Sequence, residues 1–204
     1  MDRQDQIYKK AYVCIGLLVI NVIVYILNDL SHNFLMYQGS LITQSVIADG
    51  EYHRLFTSMF LHFDVEHIGS NMLMLMIAGS VVENYAGHVY FLIMYLLCGV
   101  GADVLSMTLE LKRGNVWMSA GASGAITGIV GFIVIWIILH RDRFLANGAY
   151  SYRLLLLGVY IVYSCFFQTG ANTYAHLGGF LMGVLMGAID ILILRNDKTM
   201  EGIV

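Results

Sequence analysis

The chain has 204 residues, 58% of them hydrophobic and only 12% charged, with a formal net charge of −3 and a mean hydropathy of +0.72. Soluble domains carry about 25% charged residues, so this composition excludes a soluble globular domain and a disordered chain. It also excludes a nucleic-acid binder, because no basic patch is present. Proline is absent, so no helix here is kinked by proline. The apolar runs are long and continuous, unlike the alternating strands of about 10 residues in a membrane barrel. The chain reads as an all-α, polytopic membrane protein.

Charge-free stretches locate the helices in chain order. Ala11 to Asn28 gives 18 residues, His67 to Val82 gives 16, Asn84 to Ala102 gives 19 and Gly114 to His140 gives 27. Between Arg153 and Asp190 lie 36 more, too many for one span of about 20 residues. The polar stretch Gln168 to Thr173 divides that run. The reading is six transmembrane helices, near 10–28, 67–83, 87–108, 119–140, 151–168 and 174–194. They form one membrane domain over 10–195, with a short segment at 1–9 and a tail at 196–204. The first run is longer than a usual signal-peptide core and no small-x-small site follows it, so it reads as a retained anchor.

Lys and Arg set the expected orientation. With the N-terminus inside, Arg3, Lys9, Lys10, Arg141, Arg143, Arg153, Arg195 and Lys198 face inward, and Arg54, Lys112 and Arg113 face outward. Both termini are therefore expected in the cytoplasm of a multi-pass plasma-membrane protein. The connection at 29–66 is expected outside. It mixes Phe34, Leu35, Met36, Tyr37, Leu41 and Ile42 with polar residues, a pattern that suits the membrane interface.

Polar groups at membrane depth are costly, so those that persist are functional candidates. Three clusters stand out: His62 to Asn71 with a His-x4-His-x3-Asn spacing, Gly121-Ala122-Ser123-Gly124, and Ala175-His176-Leu177-Gly178-Gly179. Each opens a helix that runs from outside to inside. Ser123 stands 18 residues above Arg141 and His176 stands 19 above Arg195, or ~27 and ~28 Å along a helix. His67 stands 16 above Glu83, ~24 Å, with Asn71 one turn deeper. In a core of ~30 Å, all four share a depth near the outer edge.

Serine needs a base to act as a nucleophile, and histidine is the usual one. Ser123 and His176 supply that pair. The Ser123 N–H sits at a helix N-terminus, where unpaired amides and the dipole favour an oxyanion. His67 and Asn71 add side-chain donors. The competing reading of Gly-Ser-Gly is a helix-packing face, that of His176 is a satisfied buried histidine, and that of His67 and Asn71 is capping or helix–helix bonding. Gly179, Gly183 and Gly187 read as packing, opposite Gly124, Gly128 and Gly131. Glu83 reads as a scaffold hydrogen bond and His62 as either structural or functional. His32, His53, His88 and His140 read as solvated, and Trp117 as an interfacial anchor. Cys14, Cys98 and Cys165 read as small apolar residues. No metal or other cofactor is expected, since no HExxH is present. Asp103 and Asp190 lack the preceding glycine of an aspartyl intramembrane protease.

These clusters, in this order, resemble the rhomboid intramembrane serine proteases of the six-helix prokaryotic type. The resemblance covers roughly Gly39 to Gly187. It includes Arg54-Leu55-Phe56-Thr57, the His-x4-His-x3-Asn stretch, Gly79 with Glu83 and Gly87, the GxSG box and the AHxGG box. It implies a rhomboid-like bundle with Ser123 as nucleophile, His176 as base, and His67 and Asn71 near the oxyanion. It also implies single-span membrane proteins as substrates, cut near the outer face beside a small residue. Two positions depart from the family. His53 stands where a Trp is frequent, and Thr127 stands where an aromatic residue often stacks on the histidine. The alternatives are a non-catalytic rhomboid-like protein that binds membrane clients and, more remotely, a small transporter using Asp103. The oligomeric state is not legible.

Overall fold

The computed structural model describes residues 3–113, 117–146, 152–163 and 172–203. They are mostly helical. α1 (Arg3–Lys9) precedes α2 (Tyr12–Leu30). On α2, Cys14, Leu17, Asn21 and Asn28 are buried, while Val19, Ile20, Ile23, Ile26 and Leu27 are exposed. The buried residues recur at helical spacing and form one stripe. The N-terminus of α2 has no cap of its own. Glu83, fully buried, accepts the Val13 and Cys14 amides there at 2.8 Å each. The same carboxylate lies 2.6 Å from His88 Nδ1. Glu83 is thus the scaffold bond that the sequence suggested, and His88, half exposed as expected, also contacts it.

The connection that follows holds α3 (Phe34–Gly39), the short strand β1 (Leu41–Ile42), α4 (Thr43–Ala48), α5 (Arg54–Thr57) and a 3-10 turn at Ser58–Phe60. Buried Arg54 ties it together. Its Nη1 donates to the carbonyls of Tyr37 and Ser40 at 3.0 and 2.8 Å, and its Nε pairs with Glu51 at 2.5 Å. A guanidinium fork suits such divergent acceptors.

Asp64 caps α6 (Val65–Met74) by accepting the His67 amide at 2.8 Å. A π-turn at Leu75–Gly79 separates it from α7 (Ser80–Ala86). The chain turns at Gly87, whose φ of +90° favours glycine. α8 (His88–Arg113) follows. β2 (Met118–Ser119) then pairs antiparallel with β1, Leu41 opposite Ser119 and Ile42 opposite Met118. Two residues per strand carry no alternation to read, so the all-α expectation omits this pair.

α9 (Ser123–Leu139), α10 (Arg141–Ala146), α11 (Tyr152–Val162) and α12 (Thr173–Ala188) complete the helices, and a π-turn at Ile189–Ile193 extends α12. Among the described residues, Tyr12–Leu30, Val65–Ala86, His88–Arg113 and Thr173–Ile193 are long and apolar enough to cross a membrane. Ser123–Leu139 is apolar but only 17 residues long. The outer part of the expected fifth span, and Cys165 within it, lie outside the described residues.

α9 is the hub, with Ile126, Ile129, Phe132, Ile133 and Trp136 all fully buried. A helix that is apolar all round belongs at the centre of a bundle. Its contact with α12 is a glycine seam. A Cβ placed on Gly179 would stand 1.9 Å from the Gly124 carbonyl oxygen, and one on Gly183 would stand 1.8 Å from that of Gly128. Only glycine lets the two backbones approach this closely. At the other end of the molecule the Asn84 side chain donates to the Ile7 carbonyl at 2.8 Å, and Met200 and Ile203 are buried.

Candidate active site

Ser123 opens α9, and the turn before it is held from outside. Gly121 has a φ of +132°, a conformation suited to glycine. Its amide donates to the Ser58 carbonyl at 2.9 Å. The Ala122 amide donates to His62 Nε2 at 3.4 Å. His62 is 1% exposed, and burial, aided by the neighbouring His67 ring, pushes its pKa down to about 3. It is therefore a neutral acceptor that braces the Ser123 turn. This places His62 on the structural side of the two readings left open above.

His176 sits in the first turn of α12. The Asn172 side chain caps that turn by accepting the Ala175 amide at 3.1 Å. The two helix starts bring Ser123 Oγ and His176 Nε2 to 2.9 Å, within hydrogen-bond reach. The residues are 53 apart in sequence, and the glycine seam below them fixes the approach. Thr127 donates to the Gly124 carbonyl at 2.8 Å and faces Gly179 across the seam.

His67 lies beside them. Its ring stacks on Phe63 at 5.8 Å and meets His62 edge-on at 5.0 Å. A Cβ on Gly121 would stand 2.7 Å from His67 Nε2 and 3.7 Å from Ser123 Oγ. The ring thus covers the bare face of Gly121, next to the serine. Asn71 is one turn deeper and 1% exposed. Its Oδ1 accepts the Tyr160 hydroxyl at 2.9 Å, and its Nδ2 has no partner among the described residues.

A cavity of about 300 Å³ opens over this group. Ser123, His176 and His67 line it, and Asn71 is not among its described walls. Sequence reasoning missed three further walls, Ser58, Asp103 and Asn172. Asp103 had a signal, a lone charge inside an apolar run. Ser58 and Asn172 had none. Trp117, expected as an anchor, is 57% exposed at the rim of the same cavity. Chemically, a hydroxyl beside an imidazole at a helix N-terminus can form and stabilise an anionic adduct.

A family model described as "Rhomboid domain" matches residues 49–193. The chain belongs to the rhomboid family. All four candidate residues of this rhomboid chain fall inside the match. The chain is 31% identical over 158 residues to RHOMBOID-like protein 4 of Arabidopsis thaliana, covering 78% of this chain and 39% of that one. It is 30% identical over 144 residues to the rhomboid protease GluP of Bacillus subtilis, covering 71% and 27% respectively. It is 30% identical over 155 residues to rhomboid-type serine protease 2 of Emericella nidulans, covering 76% and 29%. The rhomboid chain thus spans well under half the length of these relatives.

Proposed function

We propose that this rhomboid chain is an intramembrane serine endopeptidase that cleaves single-span membrane proteins near the extracytoplasmic face. The observation that carries this reading is the 2.9 Å approach of Ser123 Oγ to His176 Nε2 inside a cavity at two helix N-termini. His176 takes the hydroxyl proton as Oγ attacks the peptide carbonyl, then returns it to the leaving amine. The Ser123 amide, the His67 ring and the unpartnered Asn71 amide supply donors for the oxyanion. No metal or cofactor enters any step. The relatives named as rhomboid proteases support the same class of reaction.

The proposed setting is six spans over 10–195 in the plasma membrane, with both termini cytoplasmic, as the Lys and Arg distribution favours. Labelling with a fluorophosphonate probe tests the reaction. Wild type reacts, Ser123→Ala does not, and His176→Ala reacts only at background. The same variants stop cleavage of a reporter span, and the double variant is no slower than either single one, because the pair acts as a unit. Folded wild-type protein that neither labels nor cleaves would point instead to a rhomboid-like protein that only binds membrane clients.

A further inference from the structure

Asp103 is a carboxylate in the middle of α8, within a membrane-crossing segment. A charge at such a depth is rare and marks a functional site by default. It is 9% exposed and lines the cavity over Ser123. One of its oxygens, Oδ2, accepts the Ser58 hydroxyl at 2.6 Å. That is its one hydrogen bond among the described residues, and the other oxygen is not among the buried, unpartnered atoms. The free oxygen is thus open to the cavity. Gly99, one turn away on α8, and Gly124, beside Ser123, line the same cavity.

The rest of the lining has the same sign. Asp64 and Glu66 also border the cavity, and no Lys or Arg does among the described residues. Asp64 is engaged by the His67 amide and Glu66 by the Tyr163 hydroxyl. Asp64 and Glu66 are exposed to solvent, whereas Asp103 is the buried acid of the lining. A low-dielectric wall around such a group strengthens its attraction for a cation.

We infer that Asp103 makes this cavity a specificity pocket for a substrate side chain that carries a cationic hydrogen-bond donor, lysine or arginine, within a few residues of the cut. The inference rests on the protease reading above and adds the substrate class. A small residue at the cut leaves space for the backbone, and the cation enters the cavity beside it. The pair forms a charge-assisted bond where water is scarce, which leaves an apolar side chain at the same position without a partner for the carboxylate.

A reporter span supplies the test. Each of the three residues on either side of its mapped cut is changed in turn to lysine, alanine, leucine and glutamate. Wild type and Asp103→Asn are compared by kcat/KM. Asn keeps an acceptor for Ser58, so a role confined to holding the Gly121 turn survives it. The expected result is one position where wild type prefers lysine over leucine by at least about tenfold, the scale of a hydrogen bond to a charged group. Asp103→Asn abolishes that preference and relieves the exclusion of glutamate at the same position. A wild type that cleaves and labels normally but shows no lysine preference at any position overturns the inference alone. So does a preference that Asp103→Asn leaves intact. A folded wild type that neither labels nor cleaves overturns the protease reading, and the inference with it.

Discussion

The Asn172 amide donates to Ser119 Oγ at 2.7 Å, and this bond joins the start of α12 to the strand that leads into Ser123. The same amide donates to Ser106 Oγ at 2.6 Å on α8. Ser106 in turn donates to buried Glu110, which also accepts the Thr43 hydroxyl at 2.6 Å. One side-chain network thus ties α4, α8, β2 and α12 around Ser123 and His176.

Asn172→Ala removes the cap of α12, worth about 1 kcal/mol, and both donors. The expected outcome is a lower melting temperature in detergent and fluorophosphonate labelling slowed by about tenfold or more, as a misplaced reacting group is costly. Asn172→Asp restores the capping acceptor but not the donors, and places a second carboxylate near Glu110. It recovers part of the melting temperature and none of the labelling rate. Labelling of Asn172→Ala at the wild-type rate would show that the network holds the fold without positioning the pair.

The glycine seam makes a sharper prediction. A Cβ on Gly183 would meet the Gly128 carbonyl oxygen at 1.8 Å and its Cα at 2.7 Å. These are backbone atoms, which cannot rotate away. Gly183→Ala must therefore push α12 off α9, at a cost of about 1–3 kcal/mol for overpacking. Labelling should be lost before the helices come apart, because Ser123 and His176 ride on the two separated elements. Gly158, where an added Cβ meets nothing within 4 Å among the described residues, is the control, and Gly158→Ala should label normally. Equal behaviour of the two variants would contradict the seam.

The helices and the polar residues that gather at the cavity were legible in the sequence for one physical reason. Membrane depth forces long apolar runs, and against them Ser123, His176, His67 and Asn71 stand out. The spacing of Gly124 and Gly128 against Gly179 and Gly183 also pointed to their contact. The β1–β2 pair was hidden because two residues per strand leave no pattern. Ser58 and Asn172 were hidden because short polar residues at helix ends are common. Their roles arise from partners 45 and 53 residues away. His88 is half exposed, as its place at a helix end suggested, and its contact with Glu83 across the Gly87 turn is an addition to that reading.

His62 gives the fold a pH dependence with a definite sign. Its folded pKa is pushed down to about 3, by burial first and by His67 second. An unfolded histidine titrates near ~6.5. Between those values the unfolded chain holds a proton that the folded chain excludes, so stability rises with pH across that window. The contribution is fully present above pH ~6.5 and declines as pH falls toward 3. Thermal melting in detergent at pH 7.5 and 4.5 should show a larger drop for wild type than for His62→Gln, which can still accept the Ala122 amide but does not titrate. Identical drops would mean that other groups carry the acid sensitivity.

The depth of Ser123, the proposed nucleophile, constrains where a substrate would be cut. Ser123 is the first residue of a 17-residue apolar helix, ~24 Å above Leu139 at its other end. In the proposed orientation this lies just inside the outer edge of a core of ~30 Å. A substrate helix that reaches this depth has its carbonyls bonded within the helix and covered by side chains. It must unwind locally before Oγ can attack. Glycine near the outer end of the span eases that step, since it is worth about 1 kcal/mol less than alanine in a helix. Replacing two such glycines by leucine should therefore slow cleavage by about tenfold or more while the reporter still inserts. Mass spectrometry of the products should place the cut in the outer part of the substrate span, beside a small residue. A cut mapped to the cytoplasmic half would contradict the orientation and the depth together, because no rotation of α9 carries Ser123 across the bilayer.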